Sequence, residues 1–228
     1  AMELAYQSLP QILRQSANYD YDHYSQEVHA AHSLSGSAYA LYVMSRAKRV
    51  AIGELRYFHD NKLMRSRVRD PLAAAHIGAA LAMAGDHGRA NSAFRLALEW
   101  LGNPTRRLDY ASPLRDAAGT LALAAETRQD SLMPQLTAAM EKYGKPAEET
   151  HTQEKAWLLK AAHTMLINSE PIELTVNDSQ AASWSWPQLA SFHTSPAEVE
   201  RGFTLTTLGS SGVWRSTIVH GIPKSVTK

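Results

Sequence analysis

Apolar positions recur with a helical period as far as Asn168 and with a period of two beyond Pro171, so the chain divides near that point into a helical and a strand-forming part. Within the helical part, helix starts are marked independently of the apolar pattern. Leu34 to Ala47, after Ser33, places Leu34, Ala38, Leu41, Tyr42 and Ser45 on one face, with Ala51 to Lys62 as its expected partner. Asp70 followed by Pro71 reads as an N-cap with proline at the first helical position, where a missing N–H costs no hydrogen bond. That helix is expected to end at Gly85, a residue suited to the left-handed C-terminal position. Asp86 then opens His87 to Trp100, closed by the turn Gly102, Asn103, Pro104. Ser112 with Pro113 repeats the cap-plus-proline signal, Asp116 falls in the first turn where its charge suits the dipole, and the helix runs to about Thr127. Ser131 to Tyr143 is the return helix, stopped by Gly144 and Pro146, and Thr152 with Glu154 opens a last helix through Trp157 to Asn168.

The hairpins end near residues 63, 100 and 143, a spacing of roughly 40 residues that repeats in structure rather than in letters. No hairpin can bury its apolar face alone. Ala73, Ala74, Ala75, Ala79, Ala80 and Ala82 in one helix, and Ala117, Ala118, Ala122, Ala124 and Ala125 in another, allow close approach from both sides, so a two-layered arc or ring is expected. After Pro171, Ile172, Leu174 and Val176 alternate with polar residues, as do Trp184 and Trp186, then Phe203 and Leu205. Gly209, Ser210, Ser211 and Gly212 are expected to join Phe203–Leu208 to Val213–Val219 as a hairpin. The expected organisation is a helical domain over residues 1–170 and a small β segment over 171–228.

Composition narrows the partners. The 228 residues carry 23 basic and 22 acidic side chains, a formal charge of +1, so no long-range field gathers nucleic acid or anionic lipid. The absence of cysteine excludes disulfides, thiolate metal sites and cysteine nucleophiles. No stretch approaches the roughly 20 apolar residues that span a bilayer, and the start AMELAYQSLPQ lacks a basic flank followed by an apolar run. Ala1 ahead of Met2 reads as an addition, and the expectation is a piece of something longer.

Candidate chemistry is thin. His29 and His32, near Asp22, His23 and Glu27, have ligand types zinc accepts but no further ligand at a recognisable spacing, so no metal residue is assigned. His76 and His163 read as satisfied core or rim residues. No acidic run exists to hold the metals of prenyl chemistry, while carboxylate pairs set by space stay open. Ser35-Gly36-Ser37 lies in or beside a helix and lacks the strand-to-helix elbow of a hydrolase nucleophile. Asp109, Tyr110, Ser112, Arg115 and Asp116 concentrate polar groups at a helix entrance, either as an interaction site or as a structural turn. In the structural reading Ser112 caps, Asp116 meets the dipole and Arg115 pairs with a neighbour. No catalytic or cofactor-binding residue is assigned, and no cofactor is expected.

Taken together, SAYALYVMSRAKRVAIGELRYF (Ser37 to Phe58), PLAAAHIGAALAMAGDHGRANSAF (Pro71 to Phe94), DYASPLRDAAGTLALAAE (Asp109 to Glu126) and TQEKAWLLKAAHTML (Thr152 to Leu166) resemble the bacterial alpha-2-macroglobulins. The match covers the later part of their thioester-containing helical domain, and PIELTVND with the segment ending VHGIP (Val219 to Pro223) resembles the β segment of their CUB-like module. The resemblance implies a mainly α fold of α/α-toroid hairpins in a partial ring, followed by a small antiparallel β segment. It implies a non-enzymatic scaffold within a periplasmic protease trap, whose partners are other domains of the same polypeptide and, through the parent, target proteases. Membrane tethering would come only through missing N-terminal parts. The family's thioester needs a Cys-x-Glu-Gln pattern, which a chain without cysteine lacks. Either the motif stands upstream, or the parent belongs to a thioester-less branch. A partial ring should expose apolar surface, which the β tail or a second copy of the chain would cover. The rival readings are a helical-repeat binding scaffold, disfavoured by hairpins that depart from the fixed period of about 34 residues, and an α/α-toroid enzyme with carboxylates converging on a central cavity.

Overall fold

Helices account for most of the first of two compact units, Ala1–Asn168 and Ser169–Lys228. The computed structural model describes residues 6–11, 13, 26–103, 111–167, 172–176, 179–184, 196–202 and 204–207. In the first unit α1 (Gln26–Arg46) is followed by α2 (Ile52–Phe58), which runs into a π-helical turn at His59–Leu63. Then come α3 (Pro71–Met83), α4 (His87–Gly102), α5 (Pro113–Glu126), a 3-10 turn at Asp130–Leu132, α6 (Met133–Lys142), a second 3-10 turn at Ala147–Glu149, and α7 (Thr152–Ile167).

Packing alternates. Helix α1 lies against α3, α3 against α5 and α5 against α7, while α4 covers α3, α6 covers α5 and α4 touches α6. This gives the two layers that the alanine-rich helices imply. Residues Pro71 to Leu81 of α3 and Leu114 to Ala125 of α5 are all buried. A helix apolar on every side survives only where neighbours cover every side, and small side chains let those neighbours come close. Two glycines mark the closest approaches. A Cβ on Gly78 would stand 2.8 Å from the Phe94 ring, and one on Gly119 would stand 2.5 Å from Leu72 Cδ1 and 3.3 Å from Trp157.

The expected caps are in place. The buried Asp70 carboxylate accepts from the Ala73 N–H at 3.0 Å and from the Ser35 hydroxyl. Asp86 accepts from the Arg89 N–H at 3.3 Å. Gly85 takes φ +83° at the end of α3, with its N–H donating to the Ala82 carbonyl and the Asp86 N–H reaching back to Leu81. The same double hydrogen bond closes α1 around Lys48 (φ 56°) and α5 around Arg128 (φ 57°), two residues with nothing in their type to announce a left-handed position.

Some boundaries differ from expectation. Helix α1 begins at Gln26, ahead of Ser33. The partner expected over Ala51 to Lys62 becomes a short α-helix and a π turn. The last helix opens at Thr152 as expected, with Glu154 in its first turn, and His151 ahead of it supplies the cap. Glu154 accepts from the His151 N–H at 2.9 Å while His151 Nδ1 accepts from the Glu154 N–H at 3.4 Å, a reciprocal capping box.

In the second unit, β1 (Ile172–Val176) pairs antiparallel with β2 (Ser179–Trp184), Ile172 opposite Trp184, and with β3 (Leu205–Thr207), Leu174 opposite Thr207. A short helix α8 (Pro196–Arg201), which the period-two pattern does not anticipate, lies between β2 and β3 in sequence. Trp186 and the expected strand Val213–Val219 lie outside the described residues. Among the described residues no helix is long and apolar enough to cross a membrane.

Candidate interaction site

Of the helix-entrance residues, Asp109 and Tyr110 lie outside the described residues, and Ser112, Arg115 and Asp116 come together at the start of α5. The Ser112 hydroxyl accepts from the Arg115 N–H at 3.1 Å and donates to Glu154 Oε1 of α7 at 2.5 Å. Arg115 turns back on its sequence neighbour, donating from Nε and Nη2 to Asp116 Oδ1 at 2.9 and 2.6 Å, with both side chains buried. Glu154, 0% exposed, also pairs with Lys145 Nζ at 2.9 Å, and His151 Nε2 stands 3.3 Å from its Oε1. Burial alone would raise the Glu154 carboxyl, but hydrogen bonds from Ser112, the His151 N–H and Lys145 outweigh it and hold the group below its usual range. Among the described residues the polar atoms of this cluster largely face one another, and they tie α5 to α7.

A second constellation has no counterpart in the sequence reading. Tyr39, Tyr42 and Arg46 share one face of α1, and Trp157 and Lys160 sit three apart on α7. With Tyr6 they line a cavity of about 610 Å³. Beneath it, His76 of α3 is buried, its ring 5.3 Å from Tyr39, 5.2 Å from Tyr42 and 5.9 Å from Trp157 between centroids. Tyr42 Oη donates to Glu126 Oε2 at 2.6 Å and accepts from Lys160 Nζ at 3.1 Å. Arg46 Nε stands 3.4 Å from Glu126 Oε1, and Lys160 Nζ lies 5.3 Å from the Tyr42 ring centre and 5.1 Å from that of Trp157.

Burial sets the protonation here. It pushes the Tyr42 phenol above its usual range, with Glu126 adding to the rise, and lowers the Lys160 ammonium against the opposing pull of Glu126. It drives His76 down to about 3, so the imidazole is neutral at ordinary pH. His76 is therefore a core residue but not a satisfied one, since Nε2 has no hydrogen-bond partner among the described residues. His163, by contrast, is exposed on α7. The side chains of His29 and Glu27, with Asp22 and His23, lie outside the described residues. Leu159 is 73% exposed, and Leu166 and Ile167 are also exposed, along the outer side of α7.

Comparison with known proteins places this arrangement in a context. No protein-family profile matches the chain. Over 102 residues it is 32% identical to the alpha-2-macroglobulin of Xylella fastidiosa strain Temecula1, covering 44% of this chain and 6% of that protein. The alpha-2-macroglobulin of strain 9a5c matches to the same extent. Among solved structures it resembles the native conformation of Escherichia coli alpha-2-macroglobulin, with a TM-score of 0.58 and 24% identity over 79% of this chain and 11% of that one. A Salmonella alpha-2-macroglobulin crystal structure gives 0.57 and 24% over 90% and 13%. Trypsin-activated E. coli alpha-2-macroglobulin gives 0.56 and 24% over 79% and 12%. The resemblance drawn from the four helical segments therefore stands, while the chain spans only a small part of the proteins it resembles.

Proposed function

We propose that this chain is a scaffold portion of a bacterial alpha-2-macroglobulin-like endopeptidase inhibitor, with no catalytic role of its own. On this reading residues 1–170 are the later hairpins of a thioester-type α/α toroid, residues 171–228 are part of a CUB-like β module, and the parent works in the periplasm. The observation that carries it is the alternation of α1, α3, α5 and α7 in one layer with the covering helices in the other. That layering accords with the likeness to native E. coli alpha-2-macroglobulin over 79% of the chain. Glycine at the two closest helix approaches supports a rigid platform in preference to a deformable binding loop. The apolar residues exposed along α7 support contact with other domains of the same polypeptide, or with a second copy of the fragment. The entrance cluster Ser112, Arg115 and Asp116 acts as a structural turn.

The test is to read the coding sequence upstream for Cys-x-Glu-Gln, express the longer product and titrate thiol after methylamine treatment. The covalent version of the reading expects the motif and about one thiol released per chain. Finding neither removes covalent capture and leaves a non-covalent scaffold.

A further inference from the structure

The cavity between α1 and α7 has the composition of a ligand site, and its features do not depend on the reading as a protease inhibitor. Its volume, about 610 Å³, falls within the roughly 300–1,000 Å³ of small-molecule pockets. Its walls are aromatic, from Tyr6, Tyr39, Tyr42 and Trp157, and the charged side chains lining it, Arg46 and Lys160, are both cationic. Glu126 holds these cations from outside the lining, so among the described residues one carboxylate faces both a guanidinium and an ammonium. Tyr39 remains 52% exposed and Arg46 56% exposed, so neither is committed to the interior. Below them the buried His76 leaves Nε2 without a partner among the described residues.

An aromatic ring entering this space would meet tyrosine and tryptophan faces. A carboxylate on it would meet Arg46, whose planar fork suits two oxygens, and Lys160, whose side chain is 33% exposed. We propose that the α1–α7 cavity binds an aromatic carboxylate, its ring between Tyr39 and Trp157 and its anion on Arg46 and Lys160. The ligand is either a free aryl acid or the C-terminal residue of a peptide, since both present the same chemistry.

Calorimetric titration of the full chain distinguishes the sources. The probes are 3-phenylpropionate, the peptide Ala-Ala-Ala-Phe with a free carboxylate, and the neutral 3-phenylpropionamide. Saturable binding of the acid alone assigns a free small molecule, and binding of the peptide alone, or of both, assigns a chain terminus or the shared chemistry. In each case Arg46→Gln and Lys160→Met should each weaken binding about tenfold, and the amide should fail to bind. Tyr39→Ala, which removes one aromatic wall, should also weaken binding. No saturable binding by either anion, equal binding of the amide, or affinity unchanged in Arg46→Gln and Lys160→Met would overturn the proposal.

Discussion

Lys48, Gly85 and Arg128 occupy the same position in three successive hairpins, the left-handed residue just past α1, α3 and α5. Only one of them is glycine. A left-handed conformation costs a side-chain-bearing residue about 1 kcal/mol. Lys48→Gly and Arg128→Gly should therefore each raise the stability measured by urea unfolding by roughly 0.5–1 kcal/mol, and Gly85→Ala should lower it by about 1 kcal/mol. A loss on introducing either glycine would mean that the lysine or arginine side chain contributes more than its backbone strain costs. Gly85 could be read from sequence because residue type and conformation agree there, whereas Lys48 and Arg128 conceal the same turn. Asp70, Asp86 and Ser112 were legible as caps for the same reason, and His151 was not, because a histidine N-cap carries no compositional signal.

Two buried groups give the chain a defined response to acid. His76 is held neutral in the fold, at about 3, whereas the unfolded chain binds that proton near ~6.5. Its contribution to stability is complete above the unfolded value and declines as pH falls from about 6.5 toward about 3. Between pH 7 and pH 5 the loss is on the order of 2 kcal/mol, and His76→Phe should remove most of that slope. Glu154 acts lower. Its carboxyl is depressed in the fold, so its contribution is present above the unfolded value near ~4.3 and fades as pH falls through the folded one. Urea midpoints at pH 7, 5 and 4 should show the variant flat between the first two and falling at the third. An equal fall from pH 7 to 5 in both proteins would contradict the role given to His76.

At the scale of elements, α3 and α5 carry the packing, and the glycines on them are positions of volume rather than of backbone freedom. Gly78→Val and Gly119→Val push against Phe94 and against Leu72 with Trp157, so each should cost about 1–3 kcal/mol in thermal or urea unfolding. Gly36, mid-helix on α1 with nothing within 4 Å of an added Cβ, serves as the control. Gly36→Ala should stabilise by about 0.5–1 kcal/mol. Destabilisation by Gly36→Ala, or tolerance of both valines, would show that helix spacing is looser than the side-chain distances indicate. The alanine runs revealed that these two helices are covered on both sides, because a helix without a polar face has no other stable place. The π turn at His59–Leu63 was not legible, since its apolar spacing over a single turn is indistinguishable from that of the α-helix it extends.

At the scale of the molecule, the cavity lined by Tyr39, Tyr42, Arg46, Trp157 and Lys160 joins helices more than a hundred residues apart in sequence. Tyr42 reads along the chain as one more apolar position on α1, and Lys160 as one more solvated charge on α7. Only the packing of α1 and α7 across α3 brings them together over His76. The entrance cluster at Ser112 is visible because its residues lie close together in sequence, whereas its partner Glu154 reads only as part of the start of the last helix. The strand pairing of β1 with β3 likewise depends on contacts that alternation alone does not specify. The central claim concerns a parent that captures proteases, so the most direct measurement uses the whole gene product. It would be mixed with trypsin, and the mixture resolved by size exclusion with both chains followed. The account predicts that cleaved parent and trypsin elute together as one larger species. Trypsin that cuts the parent and elutes free would contradict it.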